Sequence, residues 1–205
     1  EHRPVAGWRD ALEAAAKRPD PPRSTVNHAP VALARQGEPA DQPLLLEALG
    51  QLDFTKLPED QKLGLLRAYG LAFIRLGEPD FETRANLAQK FDPFFPATDN
   101  ELDRELCQFL VYLQSPTVIT KTLKLLEQES PQREAEVSEL LARNAGYGGT
   151  IGKMLANQPD KQKLHYAFVL RNLRYGWTLE QRKAYLQWLD EARKKSGGAS
   201  YEGFI

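Results

Sequence analysis

The chain has 205 residues, of which 41% are hydrophobic and 27% charged, enough to bury a core as one domain and too apolar for global disorder. With 27 Lys and Arg against 28 Asp and Glu, its net charge is −1, which leaves no electrostatic footprint for nucleic acid or an anionic membrane. No apolar run reaches the roughly 18 residues of a membrane-spanning helix, and a single cysteine, Cys107, excludes an intramolecular disulfide and any all-thiolate metal cage.

The predicted elements are helices, separated by proline and glycine. The first covers 4–18 and carries Trp8, Leu12 and Ala15. The run Pro19-Asp20-Pro21-Pro22-Arg23-Ser24 reads as an extended linker. Short helices follow over 30–36, from Pro30 to Gly37, and over 40–52, with Leu44, Leu45, Leu46 and Leu49. A longer helix over 59–76 starts after Pro58, where Glu59 and Asp60 favour its positive end, and stops at Gly77. Its expected apolar stripe is Leu63, Leu66, Gly70, Phe73 and Ile74. A shorter helix over 80–90 carries Phe81, Leu87 and Phe91, and Phe91, Phe94 and Phe95 are expected to plug a gap between layers.

Residues 98–128 form the clearest unit. Thr98 and Glu101 have capping-box spacing, and Leu102, Leu106, Phe109, Leu110 and Leu113 share one helical face. Ser115-Pro116 then reads as an N-cap and first helical residue, with Val118, Thr122, Leu125 and Leu126 lining the second helix. A turn this short makes the two helices antiparallel neighbours. Ser130-Pro131 opens a further helix with Val137, Leu140 and Leu141, and a glycine-rich turn leads to a short one around Ile151, Met154 and Leu155. The helix over 161–175 points Tyr166, Val169, Leu170 and Leu173 inward. Thr178 and Gln181 cap the last helix, where Tyr185, Leu186 and Leu189 face inward.

Successive antiparallel pairs with short turns predict an all-α fold, a HEAT- or armadillo-like α-solenoid or an irregular array of helix pairs. A single helical bundle is the alternative. One helical-repeat domain covers 1–205: an N-terminal helix and proline-rich linker over 1–28, helix pairs over 29–196 and an irregular tail over 197–205.

Few residues suggest chemistry. The run from Gly146 to Lys153 fails the phosphate-loop pattern, because Tyr147 and Met154 stand where a glycine and a Ser or Thr are needed, so it reads as a helix–helix turn. His2, His28 and His165 share no helix-face spacing, and Cys107 reads as a small buried hydrophobe. The Glu134, Glu136, Glu139, Arg133 and Arg143 cluster reads as a solvated face. No catalytic residue, cofactor or metal is expected, the alternative being an enzyme with a carboxylate- or His165-centred site between helices. Tyr166, Tyr175, Trp177, Tyr185, Trp188, Tyr201 and Phe204 crowd into forty residues. They form either the seal of the last helix pair or an aromatic platform for a partner. Trp188 is expected to lie against Phe168 and Tyr175, and Trp177 on the first turn of the last helix.

A resemblance appears in this half. Arg104-Glu105-Leu106, the stretch Leu110 to Val118 and Lys121-Thr122-Leu123-Lys124-Leu125-Leu126 resemble large bacterial exported multidomain proteins of the dehydrogenase type. So do His165-Tyr166-Ala167, the stretches Leu170 to Thr178 and Arg182 to Leu189, and the ending Gly197 to Ile205. Those proteins combine a sugar-dehydrogenase-like β-propeller, a HEAT-type helical region and a c-type cytochrome domain. The likeness covers roughly 98–205; the earlier half matches by helical pattern alone. It implies a scaffold segment in the periplasm or outside the cell, with neighbouring domains of the same polypeptide or another protein as partners. It transfers no catalytic residue, since the C-x-x-C-H haem motif is absent. The chain begins at Glu1, which reads as a processed chain or an excised segment.

Overall fold

The computed structural model describes residues 23–128 and 158–195, with isolated positions 7–8, 10–11, 14, 17–18, 138–139 and 142–143. Among these, eight α-helices, three 3-10 turns and no strand occur, so the fold is all-α and held by helix-on-helix packing. The helix predicted after Ser130, the Gly146–Lys153 run, Tyr201 and the tail lie outside the described residues; so does most of the helix predicted over 4–18, whose positions 7–8, 10–11 and 14 are helical.

The helices are α1 (Arg23–Gln36), α2 (Gln42–Gly50), α3 (Glu59–Leu76), α4 (Phe81–Phe91), α5 (Asn100–Tyr112), α6 (Val118–Glu127), α7 (Lys161–Leu170) and α8 (Leu179–Arg193). Contacts divide the chain into two compact units, Glu1–Leu113 and Gln114–Ile205. Helix α1 begins at Arg23, inside the expected linker, and encloses Pro30 instead of starting there.

In the first unit α3 is the hub: it packs on α1, α2 and α5. Burial on more than one side explains why its inward face is wider than the predicted stripe. Leu65, Leu66, Ala68, Tyr69, Ala72, Phe73 and Leu76 are all buried, whereas Ile74 is 79% exposed. Gly77 ends the helix at φ 124°, a conformation that costs glycine little, and its carbonyl accepts from the Gln42 side chain. The first residue of α2 therefore sits at the end of α3, as antiparallel neighbours require.

Four contacts fix the relation of α3 to α5. Arg67 and Glu105 are 3.9 Å apart. Tyr69 and Phe109 ring centroids lie 5.7 Å apart, Phe73 and Phe109 6.3 Å, and Phe73 and Tyr112 5.6 Å. Residue numbers rise together along both helices, at separations of 36 to 40 residues. Helices α3 and α5 thus run parallel, one helix pair apart. Between them in sequence, α4 runs back: Arg84 Nη1 in its first turn donates to the Tyr112 carbonyl in the last turn of α5, at 3.2 Å.

Aromatic rings fill the centre of this unit. Phe91 is wholly buried and meets Phe54, Tyr69 and Phe109 edge-on at 5.1, 5.6 and 5.4 Å, a favoured ring geometry. Phe95 is buried, whereas Phe94 is only half-buried and packs on Phe54 at 4.7 Å, so two of the three phenylalanines are interior and the third lies at the edge of the cluster. The Tyr69 hydroxyl is buried without a hydrogen-bond partner, and burial raises its pKa above the ordinary tyrosine value.

Capping differs from expectation at α5. Asp99, not Thr98, is the N-cap, its Oδ1 accepting from Leu102 N at 2.8 Å. Asp103, buried within α5, accepts from Ala97 N at 2.6 Å and pins the preceding loop. Helix α4 is capped by Asp80, which accepts from Thr83 N at 2.7 Å. These bonds hold the Asp80 carboxyl below its ordinary 3.8. A lowered folded pKa gives stability that is complete above the unfolded value and lost as pH falls below it. Asp80→Ala therefore lowers the melting temperature at neutral pH, and the difference from the parent shrinks as pH falls below that value. A pH-independent difference in a melting series contradicts this role.

In the second unit α6 is the hub, packing on α7 and α8. Its start is Val118, later than Ser115-Pro116 suggests, because Ser115 is buried and turns the chain instead: its carbonyl accepts from Val118 N at 3.4 Å. Val118, Ile119, Thr122, Leu123 and Leu126 face Tyr166, Val169, Leu170 and Leu173 in one core, and Leu125 is half-buried. The capping box of α8 is present in full: Gln181 N donates to Thr178 Oγ1 at 3.1 Å and Thr178 N to Gln181 Oε1 at 2.9 Å.

Candidate interaction site

Two places gather aromatic side chains, one in each unit. In the second unit the aromatics expected either to seal the last helix pair or to form a platform have separate fates. Tyr166 is buried, its hydroxyl accepting from Gln162 Nε2 at 2.7 Å. Trp177 and Tyr185 meet at 5.4 Å. The Trp177 indole N–H donates to the Leu173 carbonyl at 2.7 Å, and the Tyr185 hydroxyl donates to the Ala167 carbonyl at 2.8 Å. Both bonds tie the loop and α8 to carbonyls in and just after α7, near its C-terminus. Burial raises the Tyr185 pKa, against the opposing charge of Arg171.

Trp177 therefore reaches past the first turn of α8 to Tyr185, further along than a staple residue would. Trp188 is only half-buried. The neighbours expected for it are largely exposed: Phe168 is 44% exposed beneath the Arg171 guanidinium at 4.0 Å, and Tyr175 is 76% exposed. Leu186, expected inward, is 61% exposed. Helix α8 buries only Ala192 fully.

The second place was not legible in the sequence. Between the parallel helices α3 and α5 lies a groove of about 360 Å³, walled by Leu66, Phe73, Ile74, Phe109 and Tyr112 with Gly70 between them. Arg67 and Glu105, one charge of each sign, stand together at one end; Gln108 lies along the side. At the other end Arg84 covers Tyr112 at 5.4 Å and contacts Glu78 at 3.8 Å. The Tyr112 hydroxyl pKa is raised by burial, a rise that Arg84 opposes. The phenyl of Phe73 lies nearly parallel to Phe109 and Tyr112, at 6° and 16°, which gives the groove a flat aromatic wall. A β-carbon added to Gly70 would meet no atom within 4 Å. Packing therefore does not require this glycine, which costs about 0.5–1 kcal/mol relative to alanine inside a helix. Its local effect is to keep the groove deep.

The other residues considered for chemistry lie apart from both places. His165 is half-buried beside Tyr166, ring centroids 6.4 Å apart, His28 is exposed on α1 and Cys107 is buried in α5. Among the described residues no three His, Cys, Asp or Glu side chains come together where they could hold a metal ion, and no helix is long and apolar enough to cross a membrane. No protein-family model, curated protein or solved structure matches this chain.

Proposed function

We propose that the chain is a non-catalytic helical-repeat scaffold, an interaction module that positions neighbouring redox domains of a larger exported protein. The parallel stacking of α3 and α5 carries this reading. Helices of like position in successive repeats of a solenoid run parallel, and their separation equals the repeat. The 36 to 40 residues between contacting partners lie below or at the lower edge of the HEAT and armadillo range of about 40–47. Contact of α1 with α3 as well as α3 with α5 supports a row of alternate helices. The exported, periplasmic or extracellular setting and the partner domains rest on the resemblance over 98–205. In this reading Tyr175, Trp177, Tyr185 and Trp188, with Tyr166 behind them and Tyr201 in the tail, belong to the surface that meets a neighbouring domain. Aromatic side chains supply such contacts at low entropic cost.

The test uses the complete reading frame from which the chain comes. Propeller and C-x-x-C-H cytochrome domains are expected in it. Produced separately, those domains are expected to bind this chain at micromolar concentration or tighter, while the chain alone reduces no redox dye with any sugar. A reading frame with neither domain, or sugar oxidation by the chain alone, overturns the proposal.

A further inference from the structure

Two exposed apolar patches have no role in the scaffold reading, and they carry opposite charge. The first lies where α4 begins. Phe81, its first residue, is 87% exposed. Asp80 and Glu82 flank it, and Glu78 stands just ahead with its side chain 83% exposed. The bond from Thr83 N holds the Asp80 carboxylate ionised. Arg84 reaches Glu78 at 3.8 Å but is otherwise taken up by the ring and carbonyl of Tyr112. Arg75 is exposed near the end of α3. The patch is an aromatic knob set among carboxylates.

The second patch is the outward face of α8. At about 3.6 residues per turn, Leu179, Arg182, Lys183, Leu186, Asp190 and Arg193 fall on one side of the helix, and all are exposed. On this face Asp190 alone opposes the charge of Arg182, Lys183 and Arg193. Arg182 also donates to the Arg174 carbonyl at 3.3 Å. Glu180 and Glu191 lie on the flanks, where Lys194 holds Glu191 at 2.6 Å. Leu179 is 78% exposed and Leu186 61%. They stand two turns apart, about 10 Å along the axis, and the aliphatic stems of Arg182 and Lys183 floor the gap between them.

An isolated exposed apolar side chain is ordinary. Here each patch supplies what the other lacks: a phenyl ring fits a gap of that width, and seating it brings its carboxylates to the cations beside the gap. Both halves of the match are present on this one chain. We propose that the chain associates with a second copy of itself, Phe81 of one copy seating between Leu179 and Leu186 of the other, with Glu78, Asp80 and Glu82 against Arg182, Lys183 and Arg193. Few apolar side chains are covered, so the contact is weak, and its charges set the choice of partner more than the strength.

The test is sedimentation equilibrium of the chain. In low salt the average mass is expected to rise above that of the monomer as concentration reaches the sub-millimolar range. Raising the salt to about 0.5 M is expected to weaken association about fivefold or more. Phe81→Ser changes a side chain with little buried surface, so the melting temperature is expected to hold while association falls about tenfold or more. Glu78→Lys with Glu82→Lys, and separately Arg182→Glu with Lys183→Glu, are each expected to abolish self-association. An equimolar mixture of these two double variants is expected to associate, because the reversed charges then pair between copies. A chain that stays monomeric, whether its patches meet each other or an unrelated partner, overturns the proposal. So does association indifferent to salt or to Phe81→Ser, or a mixture no more associated than its components.

Discussion

Phe91→Ala is expected to destabilise the first unit by about 3–5 kcal/mol, the cost of truncating a large side chain in a close-packed core. Phe91 has no exposed surface and touches three other rings, from α3, α5 and the turn at Phe54. No single neighbour can move to fill the space, because each is held by a different element. The loss is a large share of the roughly 5–15 kcal/mol that keeps a domain folded. Tyr69→Phe provides the contrast. It keeps the ring in the same cluster and removes the hydroxyl that is buried without a partner, so stability is expected to hold or to rise. Urea titration followed by tyrosine and tryptophan signals measures both. A cost below about 1 kcal/mol for Phe91→Ala would place that ring outside the core.

In the second unit, Trp177→Ala is expected to cost about 2–3 kcal/mol, combining loss of the Tyr185 ring contact with loss of the 2.7 Å bond to the Leu173 carbonyl. Trp188→Ala is expected to cost less than Trp177→Ala, since its indole is half-buried. The expected packing of Trp188 against Phe168 and Tyr175 would make Trp188 the costlier loss. Melting the two variants side by side decides the order. A larger loss for Trp188 contradicts the arrangement of α7, the loop and α8.

What was legible follows from where the signal is local. The bounds of α3 were readable because Glu59 and Asp60 follow Pro58 and a positive-φ glycine follows Leu76. The start of α8 was readable because a capping box lies within four residues. Helix α1 departs from the expectation at Pro30, which sits inside the helix beside the buried Ala29: tertiary packing overrides the roughly 3 kcal/mol that an internal proline costs. The inward face of α3 was misread at Tyr69 and Ile74, because a helix covered on several sides no longer shows one clean stripe. The Asp99 cap was missed beside Thr98, since both residue types cap well and only the backbone decides between them.

The groove was invisible for a different reason. It is built from residues 36 to 40 apart in sequence, and nothing local in 66–74 or 105–112 announces that the two segments lie side by side. Gly70 carried the one available signal: a glycine inside a helix without a turn or a cap to explain it. Sequence reading placed it in the apolar stripe and left its function unread. The aromatic crowding near the C-terminus was visible in composition, but which rings meet, Trp177 with Tyr185 and neither with Trp188, depends on the loop between α7 and α8.

The parallel pairing of α3 with α5 supports both the repeat reading and the groove. Ring-to-ring NMR cross-relaxation tests it most directly. The account predicts cross-peaks between Tyr69 and Phe109 and between Phe73 and Tyr112, whose ring centroids are 5.7 and 5.6 Å apart. Cross-peaks joining Tyr69 to Tyr112, with none from Phe73 to Tyr112, would mean that the helices run antiparallel, and would contradict the repeat on which the proposed function rests.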